Sequence, residues 1–204
     1  KGTKYKIVNF ETASRKGEPF EEVIKKYGIP NQSYLHCTRE LKEAPMDSWC
    51  KDFLGKDYYR AIGMRIDEAD RVNLKKVENE RYLYPLYDWG IDKEDVYNFW
   101  EEQSFKLEIE NYRGNCSWCW KKSFKKHFRI FKENPDVYEF PKRMEELYPH
   151  NGANPHGERR VFFRGHTSTN ELIKLANLNN NDLFSDEMII KNTGCEDECQ
   201  PFTG

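Results

Sequence analysis

The run Tyr58-Tyr59-Arg60-Ala61-Ile62-Gly63-Met64-Arg65-Ile66-Asp67-Glu68-Ala69-Asp70-Arg71 decides how the rest of the chain is read. Its first nine residues are rich in aromatic and apolar side chains, as a part-buried strand requires, and they lead straight into a charged segment. Charged groups at the carboxyl end of a buried strand are where open α/β sheets hold their ligands. Arg65 and Arg71 bracket Asp67 and Glu68. That pattern admits two readings, a phosphate-binding pair of arginines or a solvated cluster of ion pairs.

Toward the N-terminus, Tyr5 to Phe10 alternates and reads as a second strand. The expected topology pairs it in parallel with Tyr58 to Ile66 through a right-handed crossover. Between the two, Glu18 to Tyr27 reads as a helix opened by Pro19 and closed by Gly28. A second helix runs from about Thr38 to Phe53, stopped by Gly55, with Pro45 expected to break or kink it. Toward the C-terminus, the aromatic run Tyr82 to Trp89 ends at Gly90, and Asp92 caps a helix from Lys93 to Gln103. Val96, Phe99 and Trp100 share one face of it and read as core. Pro135 starts an amphipathic segment carrying Val137, Phe140, Met144 and Leu147. Arg160 to Gly165 reads as a short strand. Thr167 opens a helix over Thr169 to Ala176, with Glu171 placed as a capping-box acid. The resulting class is α/β, a mainly parallel sheet flanked by helices with a helical C-terminal part, divided at 1–112 and 113–204.

Aromatic residues make up 15% of the chain and supply enough apolar area for a folded core despite 33% charged residues. A net charge of −2 argues against bulk attraction to nucleic acid and leaves room for a local basic patch. No apolar run approaches the ~20 residues of a membrane span, so no membrane partner is expected. Six cysteines without a small-secreted-scaffold pattern fit a reducing cytoplasm. The chain begins at Lys1, which reads as a piece of something longer.

Gly114-Asn115-Cys116-Ser117-Trp118-Cys119-Trp120-Lys121-Lys122 places two thiols at Cys-x-x-Cys spacing ahead of an aromatic, basic helix read over Trp118 to Lys132. Such a pair holds a metal or cluster, closes as a redox disulfide, or is two small buried side chains. Cys37 is a candidate third ligand, with His127, Cys195 or Cys199 for a fourth position; Cys50, beside Trp49 and Phe53, reads as a buried small residue. In the helix, Phe124, Phe128 and Phe131 fall on one face and Lys121, Lys122, Lys125, Lys126, Arg129 and Lys132 largely on the other. An amphipathic surface helix and a nucleic-acid or phosphate contact both fit that arrangement.

Four signatures occur in one order: Cys37-Thr38-x-x-Leu41-Lys42, Gly63-x-Arg65-x-Asp67-Glu68-x-x-Arg71, Tyr84-Pro85-Leu86 with Trp89, and Gly114-Asn115-Cys116-x-x-Cys119-x-Lys121-Lys122. Together they resemble the phosphoadenosine phosphosulfate reductase family, in its phage and bacterial reductase-like branch. The resemblance runs from about Lys4 to the Phe163–Leu175 segment. It implies an adenine-nucleotide α-hydrolase-like fold that binds nucleotide at the strand ends. Its members reduce an adenylylated sulfate or activate a substrate with ATP in the manner of an ATP pyrophosphatase. By that likeness Arg65, Asp67, Glu68 and Arg71 line a nucleotide or substrate pocket, and Cys37, Cys116 and Cys119 hold an iron–sulfur cluster or zinc. The family's Ser-Gly-Gly-x-Asp-Ser phosphate loop, whose backbone amides cradle pyrophosphate, does not occur in the chain. An upstream fragment or second chain is therefore expected to supply it, and Mg with it. The family's terminal Glu-Cys-Gly is also missing, since Gln200 follows Glu198-Cys199. A non-catalytic phage module keeping the fold, and a nucleic-acid-modifying subunit, are the two alternatives.

Overall fold

The computed structural model describes residues 5–105, 108–114, 116–152 and 156–179. They form two compact units, one of residues 5–49 with 110–179 and one of residues 50–105 with 108–109. The packing thus cuts the chain differently from a single boundary after residue 112. The N-terminal segment joins the C-terminal helices because it is their core partner.

In the first unit, α1 spans Glu18–Tyr27, with Pro19 in its first turn and Gly28, at φ 86°, closing it onto the Ile24 carbonyl. The chain then turns through Asn31–Tyr34, whose backbones exchange two hydrogen bonds of 3.1 Å. A long helix follows in three parts: α2 (His36–Thr38), a π turn over Arg39–Glu43, and α3 (Ala44–Leu54). Pro45 neither breaks nor ends it. Proline cannot donate to the carbonyl four residues back, and the wider π turn just before it absorbs the misfit, the Ala44 N–H reaching back to the Arg39 carbonyl. Gly55, at φ 75°, ends α3 where expected.

The second unit holds the only sheet among the described residues, a parallel pair of β1 (Arg60–Ala61) and β2 (Tyr82–Leu83) joined through a 3₁₀ turn (Ile66–Arg71) and α4 (Leu74–Glu80). Two expectations fail here. Tyr58 to Ile66 shrinks to two paired residues, because the Met64 N–H folds back onto the Ile62 carbonyl at 2.9 Å and bends the chain at Gly63. Its partner is β2 and not Tyr5 to Phe10. That segment forms no strand: the Asn9 side chain takes the N–H groups of Glu11 and Thr12, and Ile7 and Phe10 stay exposed. The mainly parallel sheet is thereby reduced to a small parallel pair in a largely helical chain.

After β2 come α5 (Pro85–Asp88) and α6 (Lys93–Glu101), the latter capped by Asp92, which accepts from Glu94 and Asp95 as its sequence suggests. The aromatic face of α6 is not core. Phe99 and Trp100 are exposed, and Tyr84 is the buried aromatic of the preceding run. Apolar burial within this unit is thin, Tyr84 being its buried hydrophobic residue among the described ones.

The main core lies in the first unit. It is built by α1, α7 (Phe124–Glu133), α8 (Glu139–Leu147) and α9 (Thr169–Asn179), around Ile24, Phe124, Phe128, Tyr138, Met144, Phe162 and Leu172. The helix read from Trp118 starts only at Phe124, because Ser123 caps it by accepting from the Lys126 N–H. On the segment begun by Pro135, Met144 is buried, and Val137 and Phe140 pack against the core as expected; Leu147 is exposed instead, and Pro141 and Glu145 are buried beside Met144. Arg160 to Gly165 is not a strand, although Val161, Phe162 and Phe163 are core. Before α9 the capping serine is Ser168 rather than Thr167, and Glu171 returns to the Ser168 N–H at 2.7 Å. Ser168→Ala is expected to destabilise this unit by about 1 kcal/mol, read by urea denaturation. No helix among the described residues is long and apolar enough to cross a membrane.

Candidate functional site

The Cys-x-x-Cys segment is a turn, not a helix. Cys119 N–H donates to the Cys116 carbonyl and Lys122 N–H to the Cys119 carbonyl, both at 3.0 Å. Trp118, between the two cysteines, pins this turn to the core. Its ring meets Phe20 edge-on at 4.8 Å, stacks on Phe140 at 5.1 Å and meets Phe162 at 5.4 Å. Lys122 is buried rather than on a solvated face. Its ammonium donates to the carbonyls of Tyr112 (2.8 Å) and Gly114, tying both sides of the turn together.

Cys37 enters from α2, in the first turn of the long helix. Burial pushes the Cys119 thiol up, and the neighbouring Cys116 and Cys37 push it the same way. The backbone N–H of Lys121 and the Lys122 charge act oppositely, favouring thiolate. As the side chains stand, no three His, Cys, Asp or Glu among the described residues converge tightly enough to hold a metal ion. Cys116 is exposed and Cys37 and Cys119 are partly buried, all as free thiols. Cys195 and Cys199 lie outside the described residues.

His127, on α7, is fully buried. Burial, then the charges of Lys122 and Arg164, hold its imidazole neutral, its pKa pushed down to about 3, with the Cys119 carbonyl opposing. Nδ1 lies 2.9 Å from Tyr138 Oη, which also donates to the His127 carbonyl at 3.1 Å. When Tyr138 gives its proton to that carbonyl, Nδ1 carries the ring proton and Nε2 the lone pair. In the other tautomer Nδ1 accepts from Tyr138 and the buried Nε2 faces its proton toward the Cys119 carbonyl.

In the second unit Arg65, Asp67, Glu68 and Arg71 do come together, and they satisfy one another. Arg65 grips Asp67 with Nε and Nη2, both at 2.8 Å, and its Nη1 lies 3.3 Å from Glu68. Arg71 pairs with the other Glu68 oxygen. The Arg65 guanidinium holds the Asp67 carboxyl below the usual range. Glu68 also accepts from the Arg65 N–H, so the cluster doubles as the cap of the 3₁₀ turn.

Besides Lys122, two more charged residues that no motif marks are buried. Glu145, 2% exposed, accepts from the backbone N–H of Phe162 at 3.0 Å and of Thr169 at 2.8 Å. Its place four residues after the buried Pro141 on an amphipathic helix was the available signal. Arg160, 7% exposed, was read as a strand residue.

Two curated relatives show what the chain is similar to. It is 32% identical over 195 residues to the uncharacterized nin region protein ORF290 of Escherichia phage lambda, an alignment covering 92% of this chain and 65% of that protein. It is 25% identical over 133 residues to the uncharacterized protein MJ0066 of Methanocaldococcus jannaschii, covering 61% of this chain and 28% of that one. The chain thus spans less than two thirds of the length of either relative. No family model matches it. No solved structure matches it.

Proposed function

We propose that this chain is part of a phosphoadenosine phosphosulfate reductase-like protein that handles an adenine nucleotide in sulfur transfer or ATP-dependent substrate activation. On this reading it is cytoplasmic and carries a metal centre at Cys37, Cys116 and Cys119. The observation supporting it most is the Cys-x-x-Cys turn itself, which Trp118 and Lys122 pin to the core with Cys119 half-buried. Soft thiolates suit zinc or an iron–sulfur cluster. His127, its ring held by Tyr138, would become a further donor by giving up the Cys119 carbonyl that its Nε2 faces. Arg65 and Arg71 would serve the nucleotide by exchanging Asp67 and Glu68 for its phosphates. The phosphate loop and its Mg would come from an upstream segment or a second chain.

When bound, the metal centre supplies either a rigid staple or an electron-transfer group. The chain's own residues shape its surroundings. Lys122 and the Lys121 N–H stabilise thiolate at Cys119, and Trp118 holds the turn against the core. The expected result for anaerobically purified protein is near-stoichiometric zinc or iron, lost several-fold in Cys37→Ser and in Cys119→Ser. A metal-free parent, or full occupancy in both variants, overturns the centre. A second reading is a phage module that keeps the fold without turnover; the likeness to the lambda protein bears on its phage character alone. Failure of the parent to bind ATP even with an upstream segment supplied would select it.

A further inference from the structure

At the carboxyl end of α1 the first unit encloses an open concavity of about 740 Å³, lined among others by Lys26, Tyr27, Tyr34, His36, Arg39 and Arg160. This volume is in the range of small-molecule sites. Its floor is built around one cation. The Arg160 guanidinium donates to the Tyr27 carbonyl at 2.9 Å and lies 3.8 Å from the centre of the Tyr34 ring. Two glycines make room for it. A Cβ on Gly152 would stand 2.6 Å from Arg160 Nη1, and one on Gly28 would collide with the same atom. Both glycines have positive φ, so the backbone there is shaped for the arginine as well as emptied for it.

Among the described residues no carboxylate pairs with Arg160. A charge buried to this extent is ordinarily paired, because neither a carbonyl nor a ring face replaces the hydration it has lost. Its companions on the wall deepen the imbalance. Lys26 and Arg39 add two cations at 4.7 and 5.8 Å from the Tyr27 ring, and the concavity is lined by no acid. Glu40, outside the lining, engages Arg39 at 2.7 Å, and one carboxylate does not balance three cations. His36 Nε2 lies 2.9 Å from the Gly28 carbonyl and donates to it, which fixes the ring on the wall.

We infer that this concavity is a binding site for a phosphate monoester of nucleotide size, its phosphate received by Arg160, Arg39 and Lys26. The geometry of the guanidinium suits a tetrahedral oxyanion, since a planar fork matches two phosphate oxygens where an ammonium gives a point contact. The flanking Tyr27 and Tyr34 rings and Leu35 offer an apolar wall to the body of the ester. Its lining shares no residue with the Arg65–Arg71 cluster.

The test is calorimetry on the full chain with AMP, adenosine and inorganic phosphate as probes. AMP is expected to bind, phosphate to bind more weakly and compete with it, and adenosine not to bind measurably. Lys26→Glu and Arg39→Glu change side chains at the rim and should each weaken AMP about tenfold while the thermal midpoint stays at the parent value. Arg160→Lys keeps the charge and should weaken AMP comparably, through loss of the fork. Adenosine binding as tightly as AMP, or unchanged AMP affinity in both charge reversals, overturns the proposal. Loss of AMP binding in Arg65→Ala alone would instead assign the nucleotide to the second unit and also overturn it.

Discussion

Glu145→Ala is expected to destabilise the first unit by roughly 2–4 kcal/mol, since two buried backbone donors lose a charged acceptor and water cannot replace it. The donors are the Phe162 N–H, in the aromatic core, and the Thr169 N–H, in the first turn of α9. The one carboxylate therefore ties α8 both to the buried 161–163 segment and to the start of α9. Burial lifts its pKa above the ordinary glutamate value of 4.5, although both N–H groups pull downward. The native state then holds a proton that the unfolded chain has released. Stability consequently falls as pH rises from the unfolded pKa through the raised native one, and is flat beyond it. Glu145→Gln removes that pH dependence and faces its amide N–H₂ toward one of the donors, so it should remain destabilised at every pH. Urea denaturation at several pH values measures both effects. A loss below about 1 kcal/mol for the alanine variant would show that the two N–H groups find other acceptors.

The second large effect is expected at Trp118. Removing its ring should destabilise the first unit by about 3 kcal/mol, within the range for deleting a large aromatic side chain. That ring is what Phe20, Phe140 and Phe162 pack against on this side of the core. Because Trp118 lies between the two cysteines, its removal should also loosen the turn that half-buries Cys119. In the parent, Cys116 is exposed and should alkylate first at neutral pH, while burial and the neighbouring thiols slow Cys119 by keeping it protonated. Trp118→Ala should bring the two rates together, and Trp118→Phe should restore most of the difference. Unchanged unfolding and unchanged alkylation in Trp118→Ala would show that the turn holds itself without the ring.

Several elements could be read from local signals alone. Glycine at a positive φ ended α1 at Tyr27 and α3 at Leu54 where Gly28 and Gly55 stand, and Asp92 capped α6 as its chemistry requires. These features depend on a few neighbouring bonds or on spacing, so sequence carries them. Tertiary structure decided the rest. Whether Tyr58 to Ile66 became a long strand depended on finding a long partner, and Tyr5 to Phe10 preferred side-chain bonds from Asn9. Whether Phe99 and Trp100 were core depended on a surface to bury them, which periodicity does not supply. Glu145 and Arg160 carry no motif. Burial alone singles them out, because a charge becomes demanding only when the fold removes its water, and that removal is a property of packing between segments distant in the chain.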